Sequence, residues 1–245
     1  MRQNYRLTLQ YEGTRYHGWE RKQGLDTVQG KVENVLSRLC GTEIRVDGAG
    51  RTDAGVHALA MVASTQLDTD LTPEELRDYL NRFLPEDICV TDLRPAAPRF
   101  HARLNAAGKV YRYSCWCGPG KPVFDRKTVT ILEETPDLNR MRRGAELLLG
   151  EHDFRSFCGN SRMKKSTVRR LDRLDIRREG SYLRFTVEGN GFLMHMVRIL
   201  VGTLIEVGCE RLEPEQLTSI LEERRRSAAG PAAPAKGLCL VKVRY

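Results

Sequence analysis

Residues 48–60 read GAGRTDAGVHALA and contain three glycines around Asp53. The stretch continues into an apolar run, Val56–Ala63, which predicts a strand buried on both faces. An aspartate in a glycine-rich turn most often bonds its own backbone, and that interpretation stays open here. The buried strand indicates instead that Asp53 lies at the edge of the core, where the glycines let another backbone or a ligand come close. Arg51 is near enough to reach the same ligand.

The composition is that of a globular protein with a basic surface. The chain has 245 residues, 40% of them hydrophobic, with 40 Lys plus Arg against 32 Asp plus Glu and a formal net charge of +8. This length allows two units that share a cleft. Much of the positive excess is arginine, which favours a nucleic-acid partner over a lipid surface. A basic surface that serves only solubility remains the alternative.

The seven cysteines are an odd number scattered along the chain, which favours reduced thiols. Cys115 and Cys117 form the only close pair, whereas structural zinc takes four ligands, so we expect no metal. The chain enters an alternating strand at once, without an apolar signal region. We therefore expect a cytoplasmic protein that does not enter a membrane.

Hydrophobic periodicity predicts strands and helices mixed in both parts of the chain. Tyr5–Tyr11 alternates as a strand, and Thr72–Phe83 has the capping box and proline of a helix start. Leu174–Val187 predicts a hairpin that turns at EGSY. We therefore predict an α+β fold with a largely antiparallel sheet and helices on one face. Residues 1–100 would form an N-terminal half with Asp53, and residues 101–245 a C-terminal half.

A long apolar helix is predicted from Phe192 to Val207, followed by a shorter helix over about 214–225. Five positions would form one small or polar stripe on the long helix: Gly191, His195, Arg198, Gly202 and Glu206. An arginine on such a helix either extends to the surface or needs an acidic partner. Asp53 is the candidate partner of Arg198. The loop 227–237 between the second helix and the last strand is predicted to be ordered.

Two further segments could contact nucleic acid. Lys109, Tyr111 and Tyr113 share one face of a predicted strand, which suits stacking on bases, although tyrosines in strands more often pack in the core. The segment 162–170 reads RMKKSTVRR and includes Lys164, Lys165 and Arg169. It could follow a phosphate backbone, or it could be only a solvated loop.

Seven blocks of this sequence together resemble the bacterial tRNA pseudouridine synthase A family. They occur in the family's order and cover nearly the whole chain: YEGTRYHGWERKQGLDTVQGKVE, GAGRTDAGVHALA, FHARLNAAGKVYRYS, LLGEHDFRSFC, TVRRL, GFLMHMVRILVGTLIEVG and GLCLVKV. The resemblance implies the pseudouridine synthase fold, two pseudo-symmetric α+β halves with a catalytic cleft between them. It also implies a homodimer that binds tRNA and isomerises uridines at positions 38 to 40 of the anticodon arm, without cofactor or metal.

The resemblance further implies roles for individual residues. Asp53 matches the catalytic carboxylate, Tyr111 the tyrosine that stacks on and serves the target base, and Arg198 the arginine paired with the carboxylate. Arg51 matches an arginine that helps to hold the nucleotide out of its stack. The sequence departs from the family pattern at Glu20 (usually Gln), Ile199 (often Asn) and Ala232 (commonly Thr). These positions lie outside the set of Asp53, Tyr111 and Arg198, so they bear on details of RNA contact more than on the reaction.

Two alternatives belong to other classes of protein. A catalytically silent RNA-binding protein could use the same basic surface, but it would have no reason to keep a carboxylate beside phosphates. A metal-dependent hydrolase would need a histidine pair of the HExxH type, which the sequence lacks. The expected activity is therefore that of a tRNA-modifying isomerase.

Overall fold

The computed structural model describes residues 2–160 and 162–245, and it divides the chain into two compact units. Unit 1 comprises Met1–Ala107 and Leu240–Tyr245, and unit 2 comprises Gly108–Cys239. Each unit contains both helices and strands, and among the described residues six strand pairs within the units are antiparallel whereas one short pair is parallel. The predicted α+β class with a largely antiparallel sheet is confirmed.

Unit 1 has a sheet with the strand order β4-β1-β3, to which β2 is added on β3. Its elements are β1 (Gln3–Tyr11), α1 (Val28–Cys40), β2 (Val46–Gly48), β3 (His57–Leu67), α2 (Pro73–Phe83) and β4 (Ile88–Pro95). The partners β1 and β3 are antiparallel, with Leu7 opposite Ala63. In β1 every second side chain from Tyr5 to Tyr11 is buried, as its alternation predicted.

Helix α2 begins as its sequence predicted. The Thr72 side chain accepts a hydrogen bond from the Glu75 backbone N–H (3.3 Å), and the Glu75 carboxylate accepts one from the Thr72 N–H (2.8 Å). The bond from the Thr72 N–H, followed by one from the Thr72 hydroxyl, holds the pKa of the Glu75 carboxyl below its ordinary value. Pro73 occupies the first turn and the helix ends at Phe83. The capping box and the predicted end are both confirmed.

Unit 2 has a sheet with the strand order β5-β9-β8-β7, and the two-residue strand β6 runs parallel to β5. Its elements are β5 (Gly108–Trp116), β6 (Thr130–Ile131), α3 (Leu138–Leu147), β7 (Gly150–Asp153), β8 (Val168–Glu179), β9 (Tyr182–Gly189), α4 (Met196–Gly208) and α5 (Gln216–Glu223). Gly180 has a φ of 60° in the turn between β8 and β9. The predicted hairpin is confirmed.

The last strand, β10 (Leu238–Arg244), lies beside β3, and its residues from Leu240 onward belong to unit 1. Tyr245, which follows the strand, also contacts unit 1: its hydroxyl donates to the Ala102 carbonyl (2.8 Å), and the Arg6 guanidinium lies 4.6 Å from its ring centre. Residues 101–107 also belong to unit 1. The sequence-based division placed both segments in the C-terminal half.

The long apolar helix begins later than predicted. Helix α4 starts at Met196, because His195 has a left-handed backbone (φ 59°) that a helix cannot continue through. Gly191 and His195 therefore precede the helix, and the predicted stripe is wrong for these two residues. Helix α5 is shorter than predicted by two residues at each end. In the described part of the chain, no helix has the length and apolar character required to cross a membrane.

The loop 227–237 is ordered against α4, as predicted. Gly202 lies so close to the Pro231 carbonyl oxygen that any β-carbon there would overlap it. The Gly230 N–H donates to the Thr203 hydroxyl (3.0 Å). The loop therefore packs along one side of the helix that carries Arg198.

Candidate active site

Asp53 begins a tight turn that leads into β3. Its carbonyl accepts a hydrogen bond from the Val56 N–H (3.2 Å), and Gly55 has a φ of 76°. A positive φ at the third residue is the type II arrangement, which glycine adopts without strain. The Asp53 side chain is half-buried, whereas Thr52 and Val56 beside it are buried. The turn thus presents a carboxylate at the margin of the core.

The segment 13–19 holds this turn through backbone contacts. The Trp19 N–H donates to the Thr52 carbonyl (3.1 Å), and the Gly55 N–H donates to the Tyr16 carbonyl (3.2 Å). Gly18 has a φ of 94°, and a β-carbon on it would lie 2.6 Å from the Thr52 carbonyl oxygen. Only glycine at position 18 therefore allows the two backbone segments to lie this close. Both flanks of Asp53 are therefore fixed by the main chain.

Buried side chains support the same turn from below. The Tyr11 and Thr52 hydroxyls share a hydrogen bond of 2.8 Å. The Gly13 N–H donates to Nδ1 of His57, the first residue of β3, at 2.9 Å. The Trp19 indole packs directly on Gly48, where a side chain would overlap the ring. Gly48 thus admits an indole ring, whereas the close approaches of another backbone lie at Gly13 and Gly18, outside the stretch GAGRTDAG.

Arg51 lies two residues before Asp53 and is exposed. Its Nη2 forms an ion pair with Oε1 of Glu20 at 2.7 Å. Sequence reasoning identified Glu20 only as a departure from a family pattern and assigned it no partner. No sequence signal connects residues 20 and 51, because the antiparallel contact between their segments is tertiary.

In unit 2, Tyr111 lies in β5 with only 7% of its surface exposed. Its ring meets the ring of Phe192 edge to face, with centres 5.2 Å apart and planes at 88°. Tyr113, on the same strand face, is a core residue whose hydroxyl donates to the Pro234 carbonyl (2.8 Å). Burial raises the pKa of Tyr113. The two tyrosines that the sequence could not distinguish therefore have different surroundings.

Arg198 is the third residue of α4 and is half-buried. Its Nε donates to the Ala233 carbonyl (2.7 Å), and the Ala233 N–H donates back to the Arg198 carbonyl (2.9 Å). A cation in the first turn of a helix opposes the helix dipole, so contacts with carbonyl oxygens help to hold it there. The loop 227–237 thus sets the direction of the guanidinium plane.

The segment 191–198 contains Arg198 and contacts two other predicted residues of unit 2, Tyr111 and Arg169. Phe192 contacts Tyr111. Gly191 lies beside Arg169, because a β-carbon built on Gly191 would be 3.6 Å from the Arg169 Nε. The Gly159 N–H donates to the Met194 carbonyl (2.8 Å), which ties the chain before the basic loop to the same place. Lys164 and Lys165 are exposed on that loop. Sequence reasoning missed the part played by Phe192 because it placed that residue inside a helix.

Within residues 2–160 and 162–245, no group of three or more His, Cys, Asp or Glu side chains is arranged to hold a metal ion. Burial raises the pKa of the Cys115 and Cys117 thiols above the ordinary value, which opposes formation of the thiolates that zinc binds.

Comparisons with known proteins cover nearly the whole chain. The chain is 44% identical over 243 residues to a tRNA pseudouridine synthase A of Bacillus sp. (strain KSM-64), and 42% identical over 243 residues to a tRNA pseudouridine synthase A 2 of Bacillus cereus. It is 38% identical over 242 residues to a tRNA pseudouridine synthase A of Acetivibrio thermocellus. Each alignment covers 99% of this chain and 99% of the relative.

A family model described as tRNA pseudouridine synthase matches residues 8–105 and 145–245. The first segment contains Arg51 and Asp53, and the second contains Arg169 and Arg198. Tyr111 lies between the two matched segments. The chain therefore belongs to the family of tRNA pseudouridine synthases, which are isomerases.

Proposed function

We propose that this protein converts uridine to pseudouridine at positions 38 to 40 of the tRNA anticodon arm, with Asp53 as the catalytic carboxylate and without cofactor or metal ion. The observation that carries the proposal is the Asp53 turn, a half-buried acid whose backbone is fixed on both sides by Thr52 and Gly55. Preorganised groups of this kind are what a reaction at one sugar atom requires. The family membership supplies the reaction class.

The reaction must break the bond between uracil N1 and ribose C1′, turn the base and join C5 to C1′. An ionised Asp53 can attack C1′ and be displaced again when C5 bonds there. Alternatively it can remove the 2′ proton to give a glycal and return that proton later. In either route the proton on C5 is lost to solvent and one is gained at N1. The uridine has to leave its stack first.

Tyr111 is proposed to stack on the target base and to accept or relay the C5 proton. The edge contact with Phe192 supports this role, because it restricts the rotation of the Tyr111 ring. Tyr111→Phe would keep the stacking surface and lose the hydroxyl. We therefore expect this variant to bind tRNA and lose turnover, and equal turnover of the two proteins would remove the proton-transfer role.

Arg198 is proposed to pair with Asp53 and keep it ionised in a site from which the base excludes water. Its hydrogen bond to Ala233 supports this role by fixing the plane of the guanidinium group. Arg51 is proposed to hold the extruded nucleotide. Lys164, Lys165 and Arg169 are proposed to contact phosphates, in keeping with the net charge of +8. We further propose a homodimer, which rests on the resemblance, and a cytoplasmic location, which rests on sequence features.

Release of tritium from transcript tRNA labelled at uridine C5 tests the proposal, with a metal chelator present throughout. The wild-type protein should release tritium, and Asp53→Ala should release none. Asp70→Ala is the matched control, because it removes an exposed aspartate of the same unit. Release by Asp53→Ala would refute the assigned role, and tRNA binding by the wild type without release would indicate an RNA-binding protein. Mapping of pseudouridine in the product tests positions 38 to 40.

A further inference from the structure

The ion pair between Arg51 and Glu20 is not explained by the reaction chemistry. Arg51 is proposed to bind RNA, yet its Nη2 lies 2.7 Å from a carboxylate oxygen of Glu20. We propose that the Glu20 carboxylate occupies Arg51 in the free protein and competes with RNA, so that RNA must displace this carboxylate before Arg51 can bind a phosphate or a nucleotide. This inference rests on the proposed function, because it takes Arg51 as an RNA contact.

The backbone fixes the two partners opposite each other. The Trp19 N–H donates to the Thr52 carbonyl (3.1 Å), which places Glu20 across from Arg51 as in an antiparallel pair. Trp19 is buried, and its own carbonyl accepts a hydrogen bond from the Gln29 N–H (3.0 Å). Because Glu20 follows an anchored residue, little chain entropy opposes the ion pair. The pair is thus a consequence of the same contacts that hold the Asp53 turn.

Charge explains why the pair would oppose RNA binding. A guanidinium group that faces a carboxylate already has an anionic partner, and a phosphate has to replace that partner. The Glu20 carboxylate also repels an approaching phosphate. Both effects act between exposed groups, with 59% of the Arg51 side chain and 42% of the Glu20 side chain accessible. They should therefore be modest and strongest at low ionic strength.

A second ion pair in the same unit provides a matched control. Arg21 Nη2 lies 3.2 Å from Oε1 of Glu43, and the exposed fractions are 54% and 59%. Glu43→Gln removes one negative charge from unit 1, as Glu20→Gln does, but it leaves Arg51 untouched. Any difference between the two variants therefore reports on the Arg51 pair and not on net charge.

The experiment measures the Kd of transcript tRNA on proteins that carry Asp53→Asn, which prevents turnover during the measurement. Glu20→Gln should tighten binding about threefold at low ionic strength, and the gain should disappear at high ionic strength. Glu43→Gln should change Kd much less. Glu20→Asp keeps the charge and should bind like the parent. In a protein that also carries Arg51→Gln, most of the gain from Glu20→Gln should disappear, because only the direct repulsion between the Glu20 carboxylate and phosphate remains.

Three results would overturn the inference. If Glu20→Gln and Glu43→Gln lowered the Kd of tRNA equally, the effect would come from net charge alone. Weaker tRNA binding by Glu20→Gln would mean that Glu20 prepares Arg51 for RNA. If Glu20→Gln tightened binding just as much in the protein that carries Arg51→Gln, the ion pair would not be the cause. Each result is separate from a failure of the proposed function, which tritium release by the wild-type protein reports independently.

Discussion

The Asp53 turn of unit 1 and the segment 191–198 of unit 2 hold their candidate residues in different ways. The turn is fixed mainly by backbone hydrogen bonds and by glycines that admit a neighbouring chain. The segment also has backbone bonds at Met194 and Arg198, but its candidate residues are held by side-chain contacts, namely the ring of Phe192 on Tyr111 and the guanidinium of Arg198 on a carbonyl of the loop 227–237. Substitutions that add atoms should therefore disturb the Asp53 turn. The segment 191–198 should also be disturbed by substitutions that remove side-chain atoms.

The largest effect is expected from Gly202→Ala. The added methyl group would overlap the Pro231 carbonyl oxygen, so the loop 227–237 would have to move away from α4. Overpacking of this kind costs about 3 kcal/mol of unfolding free energy, and turnover should fall with it because the loop orients Arg198. Urea unfolding and tritium release measure the two effects. Ser219→Ala, on an exposed face of α5, should change neither, and a stable Gly202→Ala would contradict the packing described.

Gly13→Ala should give the corresponding loss in unit 1. A β-carbon on Gly13 would overlap the Val56 carbonyl oxygen, which lies at the end of the Asp53 turn. We expect a loss of about 2 kcal/mol in unfolding free energy, together with a large fall in turnover as the turn shifts. The same two assays apply. If Gly13→Ala unfolded early but kept full turnover, the backbone would not be what positions Asp53.

Phe192→Leu tests the side-chain region by removal. The edge contact with Tyr111 would be lost, which costs about 1 kcal/mol, and the Tyr111 ring would gain freedom. Turnover should fall several-fold while tRNA binding is kept. Phe83→Leu is the control, because it breaks a similar pair with Tyr79, whose ring centre lies 4.7 Å away in unit 1. Equal turnover of the two variants would show that Phe192 does not orient Tyr111.

The smallest effect is expected from Tyr16→Phe, and it should depend on pH. The Tyr16 hydroxyl donates to Asp87 (2.5 Å), and burial followed by this hydrogen bond raises the pKa of Tyr16 to about 12 from its ordinary value of 10. A raised pKa means that the folded state favours the neutral phenol, so this stabilisation is present below pH 10 and is lost as the pH rises towards 12.

The wild-type protein should therefore be more stable than Tyr16→Phe by about 1 kcal/mol near neutral pH. The difference should shrink as the pH rises from 10 to 12, and urea unfolding across that range measures it. A difference that stays constant would show that the Tyr16 hydroxyl is not held by Asp87.

Local elements followed from the sequence because their signals are local. The capping box of α2 and the turn between β8 and β9 depend on residues within a few positions, and both were predicted with their ends. The start of α4 was not, because only His195 interrupts the apolar residues of FLMHMV and a histidine by itself does not end a helix. His195 leaves the helical conformation where the Gly159 backbone packs against its ring and bonds to Met194. That contact joins residues far apart in the chain.

The features of the candidate site also fall into those that the sequence predicted and those that only the tertiary structure decided. The sequence by itself determined the α+β class through its periodicity, Asp53, Tyr111 and Arg198 as candidates through residue type and position, and the family through seven blocks that resemble it. Only the tertiary structure decided that Trp19 supports the acid, that Phe192 contacts the tyrosine and that Glu20 pairs with Arg51. These contacts join segments whose approach is set by the packing of a whole unit, and no local pattern of residues records which distant partner they meet.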